Sequence, residues 1–159
     1  MVNIVIIGVG DIALKRHIPA IIKLQDGNLY GLYNRHLERT KELARQYQVY
    51  AFESLEEVWK NEDVQAVLIS TPPDSHAELA VSAMAAGKHV LLEKPMTRKV
   101  EEAEKIEQAS IKYNRKLMML HVQRFYEPHQ KAKELLDKGE IGKLLSIRST
   151  LGNADTSLL

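Results

Sequence analysis

Apolar residues in this chain fall into short runs separated by longer stretches where they recur every three or four positions. Val2 to Ile7 is almost continuously apolar, as expected of a strand buried on both faces. A helix is expected to start near Asp11. Pro19 interrupts it, or else opens a restarted turn over Pro19 to Leu24. Asn28 to Tyr33 reads as a second strand after the turn signal Asp26-Gly27. His36 to Gln48 reads as a helix with Leu37, Leu43, Ala44 and Tyr47 on one face, and Val49 to Phe52 as a short strand. Ser54 and Glu57 form an S-x-x-E capping box before a short helix ending near Lys60.

The second half repeats the alternation. Val64 to Ser70 is a strand, and the prolines of TPPDSHAE force an extended turn after it. Ser75 and Glu78 form a second capping box, opening a helix to about Ala86 with Gly87 as its C-cap. His89 to Leu92 is the next strand. Val100 to Asn114 is a charged helix with Val100, Ala103, Ile106, Ser110 and Tyr113 on one face and a favourable Glu101 to Lys105 pair. Leu117 to Leu120 is a short strand, Tyr126 to Lys138 a helix ended by Gly139, and Leu144 to Thr150 a final alternating strand. Strands and helices in this order argue for an α/β fold, a doubly wound parallel sheet of Rossmann type with helices on both faces. Ligands bind such sheets beyond the carboxyl ends of the strands. The turns after Ile7, Tyr33, Ile69 and Leu92 are therefore the candidate positions.

Composition narrows the partners. The chain has 159 residues, 45% hydrophobic and 27% charged, which suffices for a core without cross-links. Lys plus Arg is 22 against 21 Asp plus Glu, so a net charge of +1 gives no support for a nucleic-acid or membrane-surface partner. The chain has no cysteine, which excludes thiolate metal sites and thiol nucleophiles and fits the cytoplasm. Gly8, Gly10 and Asp11 break the first apolar run and no basic region precedes it, so neither a signal peptide nor a membrane span is expected there. No His, Asp and Glu spacing resembles a metal site.

Gly8-Val9-Gly10-Asp11-Ile12-Ala13 is a G-x-G-x-x-A loop between a predicted strand and a predicted helix. Its first glycine permits a tight turn, its second lets a diphosphate approach the backbone, and Ala13 allows close helix–strand packing. Free N–H groups and the helix dipole then favour the anion. A nucleotide-like methyl donor is an alternative occupant of such a loop. NAD-binding sheets carry an acid about 20 residues further on, for the ribose 2′-hydroxyl. Asn34 and Arg35 stand there instead, with His36 and Arg39 nearby, and a cation there suits the 2′-phosphate of NADP. NADP is therefore the preferred cofactor, with NAD the alternative.

The words GVGDIALKRHIPAI, ISTPPDSHAELAVSAMAAGKHVLLEKPMT and HVQRFYEPHQKAKELLDKGEIGKLLSIRS resemble the N-terminal part of the Gfo/Idh/MocA oxidoreductases. The resemblance implies a dinucleotide-binding domain over residues 1–120. It implies that 121–159 are the truncated start of a second α/β domain carrying substrate and homo-oligomer contacts. It implies hydride transfer between a nicotinamide and a sugar- or cyclitol-like hydroxyl or carbonyl. By position, Lys94 corresponds to the family's active-site lysine, with Glu93 beside it to tune or orient it and a cis bond before Pro95. Thr71, Pro72 and His76 correspond to a loop beside the cofactor, and Arg124 to a basic residue after the sixth strand. A lysine at the substrate oxygen stabilises developing charge. His17, His89 and His121 are expected to serve packing or hydrogen bonding. The family's downstream Asp and His have no counterpart before Leu159. The alternative is therefore a catalytically inactive NAD(P)-binding domain, or a fragment lacking the substrate domain.

Overall fold

The computed structural model describes residues 1–150, which divide into two compact units between His121 and Val122. The first unit is a six-stranded sheet in the order β3-β2-β1-β4-β5-β6, every neighbouring pair parallel. The strands are β1 (Val2–Ile7), β2 (Gly27–Tyr33), β3 (Tyr50–Phe52), β4 (Ala66–Ile69), β5 (His89–Leu92) and β6 (Leu117–Met119). The helices between them are α1 (Ile18–Ile22), α2 (Leu37–Tyr47), α3 (Leu55–Lys60), α4 (His76–Ala85) and α5 (Val100–Lys112). Strand order reverses between β1 and β4, which opens a crevice at their carboxyl ends.

Alternation along each strand sorts side chains between two cores. Val5, Ile7, Val67, Ile69, Val90 and Leu92 pack with Val58 of α3, Leu79 and Met84 of α4 and Ile106 of α5. Ile4, Ile6, Ala66 and Leu68 pack on the other face with Ala13, Ile18 and Ile21, and Leu43 and Tyr47 of α2 lie against them. A strand buried on both faces must be apolar at nearly every position, and β4 is buried throughout.

Pro19 does not break its helix. Helical turns begin at Asp11, pass through a π turn at Ala13–His17 and continue as α1 with Pro19 in its first turn. Proline has no N–H and its ring crowds the carbonyl four residues back. The wider turn, in which the Ile18 N–H reaches Ala13 O, relieves that crowding. Ser54 caps α3 as expected, accepting from the Glu57 N–H at 3.1 Å, while Glu57 reaches the Glu53 N–H at 2.9 Å. Gly87, with φ +82°, ends α4 in a Schellman motif: its N–H meets Met84 O at 3.0 Å and the Lys88 N–H meets Ala83 O at 2.9 Å.

Three local expectations fail. Ser75 does not cap α4. A 3₁₀ turn at Pro73–Ser75 precedes the helix and points the hydroxyl back at Thr71 Oγ1 (2.7 Å) and Pro72 O (2.9 Å). Val100 is 70% exposed, because the buried stripe of α5 runs through Ile106 and Ala109. The expected Glu101–Lys105 pair is not among the ion pairs of the described residues; Lys99 and Glu102 approach to 3.9 Å instead.

The second unit holds a 3₁₀ turn at Val122–Phe125 and α6 (Glu127–Asp137), whose Lys131–Glu134, Lys133–Asp137 and Lys138–Glu134 pairs lace its exposed face. Leu144 to Thr150 is not a strand. Those residues have no ladder partner among the described residues, and Leu145 is 87% exposed. An alternating pattern specifies which face to bury but cannot supply a neighbouring strand. No helix among the described residues is long and apolar enough to cross a membrane.

Two stability measurements follow. Ile106→Ala should cost about 2–5 kcal/mol in urea unfolding, whereas Val100→Ala should change stability by less than about 0.5 kcal/mol; equal effects would refute the assigned stripe. His89 is held below its ordinary value near 6.5 by burial first, then by Arg115 and Lys116, and its Nδ1 accepts the Lys116 N–H at 3.0 Å. A depressed histidine binds fewer protons folded than unfolded, so its contribution is present above its ordinary value and lost as pH falls below it. The destabilisation caused by His89→Asn should therefore be larger at pH 8 than at pH 5.

Candidate functional site

The loops leaving β1, β2 and β4 surround a cavity of about 570 Å³ at the crevice. Gly8 has φ +92°, and a Cβ there would lie 2.8 Å from Ser70 O and 2.9 Å from Thr71 Cγ2. Only glycine avoids both the strained backbone and the collision. Gly10 differs: it is exposed, and nothing lies within 4 Å of where its Cβ would stand. That open space at the start of a helix is the shape a diphosphate needs to reach the backbone. Ala13 is fully buried in the helix–sheet contact.

Ser70 also lines the cavity, and its buried hydroxyl has no hydrogen-bond partner among the described residues. An orphaned buried polar group is costly, so this one is a ready contact for a polar ligand. Sequence reasoning did not single it out, because a serine at a strand end carries no distinguishing pattern. Asp11 is exposed, and a Lys15 hydrogen bond at 3.0 Å holds its carboxyl below the usual range. Lys15 thereby offsets a negative charge that would otherwise face an entering anion. Ile12 is half exposed beside it.

The far side of the cavity is cationic. Asn34, Arg35, His36 and Arg39 all line it. The loop is held by the buried Thr40 hydroxyl, which lies 3.1 Å from His36 O and 3.4 Å from Asn34 O. Thr71 and Pro72 line the side of the cavity after β4. His76 does not offer a free nitrogen. It is fully buried, with Nδ1 3.0 Å from Pro95 O and 3.2 Å from Met96 O, and Nε2 2.9 Å from Thr71 O.

Beyond β5 the strand alternation dictates the roles. Leu92 points into one core, so Glu93 points to the opposite face, where the turn behind the glycine loop lies. There Glu93 Oε1 meets His17 Nε2 at 2.8 Å, with both residues buried. Its other oxygen, Oε2, accepts the N–H of Lys94 at 2.9 Å. Glu93 therefore holds the peptide of Lys94, not its ammonium. Leaving one of these buried polar groups without its partner costs about 1–3 kcal/mol. The Lys94 side chain is exposed and makes no ion pair among the described residues, and the Lys94–Pro95 peptide is cis. Arg124 lies in the second unit, exposed in the Val122–Phe125 turn. No group of three or more His, Asp or Glu among the described residues is placed to hold a metal.

Comparison with known proteins shows the family and the fold. The model of an oxidoreductase family with an NAD-binding Rossmann fold, GFO_IDH_MocA, matches residues 2–121. An uncharacterised oxidoreductase of Synechocystis sp. is 40% identical over 135 residues, spanning 83% of this chain and 36% of its own. A dTDP-3,4-didehydro-2,6-dideoxy-α-D-glucose 3-reductase of Actinomadura kijaniata is 28% identical over 153 residues, covering 94% of this chain and 45% of that one. The crystal structure of a 3-ketoreductase from Actinomadura kijaniata in complex with NADP superposes with a TM-score of 0.81 at 29% identity, over 89% of this chain and 45% of that chain. The chain thus spans less than half the length of these relatives.

Gly8→Ala should destabilise the chain by about 1–3 kcal/mol through strain at positive φ, and the collision with Ser70 adds to that. Gly10→Ala should leave thermal stability nearly unchanged, since its Cβ meets nothing. A thermal melt of the two variants checks the contrast, and equal melting temperatures would refute it.

Proposed function

The chain belongs to the Gfo/Idh/MocA oxidoreductase family, and on that premise we propose that its first unit binds a nicotinamide dinucleotide, NADPH ahead of NADH. Lys94 then faces the substrate of the oxidoreductase, a sugar- or cyclitol-like hydroxyl or carbonyl. The observation that carries this reading is one crevice bordered by the glycine loop, the Arg35–Arg39 edge and the Thr71–Pro72 loop. The first-turn N–H groups after Gly10 would hold the diphosphate. Arg35 and Arg39 would hold the ribose 2′-phosphate, where an acidic residue would repel it. The Ser70 hydroxyl would find its missing partner on the ligand.

A bound nicotinamide supplies or accepts the hydride. Lys94 hydrogen-bonds the substrate oxygen and stabilises the charge that develops on it. Glu93 fixes the backbone from which that amine extends. Support for a sugar-like substrate comes from the Actinomadura relative, whose name specifies reduction of a nucleotide-linked sugar.

Calorimetric titration of the chain with NADPH and with NADH tests the cofactor reading. NADPH should bind more tightly, and Arg35→Ala should weaken NADPH while leaving NADH nearly unchanged. Equal loss for both cofactors would remove Arg35 from the 2′-phosphate role. In a longer protein that turns over, Lys94→Ala should abolish turnover with NADPH affinity preserved. An unchanged rate would overturn its assignment.

A further inference from the structure

Lys94 lies between two buried histidine anchors that reach it from opposite faces of the sheet. His17, in the π turn behind the glycine loop, holds Glu93 Oε1 at 2.8 Å, and Glu93 Oε2 holds the Lys94 N–H at 2.9 Å. His76, the first residue of α4, contacts Pro95 O at 3.0 Å and Met96 O at 3.2 Å, and its other nitrogen contacts Thr71 O at 2.9 Å. Lys94 is the residue between these attachments. The first anchor originates behind the glycine loop, and the second lies between the Thr71 carbonyl and those of Pro95 and Met96, donating to one side as a neutral ring and to both as an imidazolium. The glycine loop and the loop that carries Thr71 line the same cavity.

We propose that His17, with Glu93, and His76 are positioning residues that couple both cofactor-contacting loops to Lys94, so that filling the dinucleotide cavity sets the direction of the Lys94 amine. The inference rests on the proposed nicotinamide reading of that cavity. A carboxylate only accepts hydrogen bonds, so His17 donates from Nε2 and Glu93 uses one oxygen for the ring and one for the Lys94 peptide. Both contacts lie behind the peptide, and the Lys94 ammonium makes no ion pair among the described residues and stays exposed for a substrate. The anchors lie behind the peptide, in the core, where a ligand cannot compete for them. Such precision matters, because displacing a reacting group by about 1 Å costs roughly a hundredfold in rate.

The two substitutions at Glu93 separate positioning from mere packing. Glu93→Gln keeps the shape, and its carboxamide oxygen can still accept the Lys94 N–H. Its NH₂ can donate to His17 once the imidazole adopts the other tautomer. Glu93→Leu keeps volume but removes both links. His76→Ala removes the second anchor.

The test is NMR of the ¹⁵N-labelled full chain titrated with NADPH. In the wild type, the amides of Gly8 to Ala13 and of Lys94 should shift together with one midpoint. In Glu93→Leu and in His76→Ala the glycine-loop amides should still shift, while the Lys94 response is lost. Glu93→Gln should retain it. A wild-type titration that moves the glycine loop but not Lys94 overturns the coupling, as does a wild-type-like Lys94 response in both disrupted variants. If the disrupted variants do not fold, the wild type and Glu93→Gln decide, because loss of the Lys94 response in either contradicts the proposal. Absence of any glycine-loop response in the wild type refutes the cofactor reading itself and takes the coupling with it.

Discussion

The Glu93 carboxylate is the constraint around which the site is arranged. It is 8% exposed, and a polar group removed from water to that degree is costly unless its oxygens find partners. It meets the requirement with two donors distant in sequence, the His17 ring and the peptide N–H of its own neighbour. The first donor ties β5 to the helix that follows the glycine loop. The second sets the backbone of Lys94.

The geometry of a parallel strand makes this possible. Successive side chains alternate between faces, so Leu92 enters one core and Glu93 the other side, and beyond the end of the strand Lys94 turns out to solvent. His76 comes from the opposite face to His17, because α4 packs on the other side of the sheet from the turn that carries His17. The segment is therefore held from two layers, by a histidine in the turn behind the glycine loop and a histidine at the start of α4. Strand order reverses between β1 and β4, and the loops diverge there to leave the opening. Gly8 allows those loops to approach closely, because no side chain fits between it and Ser70.

Much of the fold was legible because it rests on local rules. The six strands and five helices of the first unit lie within a few residues of their expected places, since β-branched runs, amphipathic periods and glycine caps act over short distances. The expectations that failed were also local, each overridden by something non-local or by competing backbone chemistry. Ser75 has a capping-box neighbour, yet the 3₁₀ turn gives its hydroxyl nearer partners in Thr71 and Pro72. Leu144 to Thr150 alternates correctly but lacks a strand to pair with among the described residues. Val100 is apolar and opens α5, but it lies off the stripe through Ile106 and Ala109 that the packing buries, and it remains exposed.

For the site, the amino-acid sequence alone determined which turns were the candidates, because G-x-G-x-x-A, Asn34-Arg35 and Glu93-Lys94-Pro95 each sit where a strand ends. It argued for a parallel, doubly wound sheet, because short apolar runs alternate with amphipathic stretches long enough to cross over between parallel strands. It could not show that His17 and Glu93 meet, nor that both nitrogens of His76 lie within hydrogen-bond distance of carbonyls. Those contacts depend on the phase of one helix against one strand and on the crossing of the sheet layers. Only the tertiary structure decides them, because a hydrogen bond depends on position in space and residues separated by 76 places in the chain are brought within 2.8 Å by packing alone.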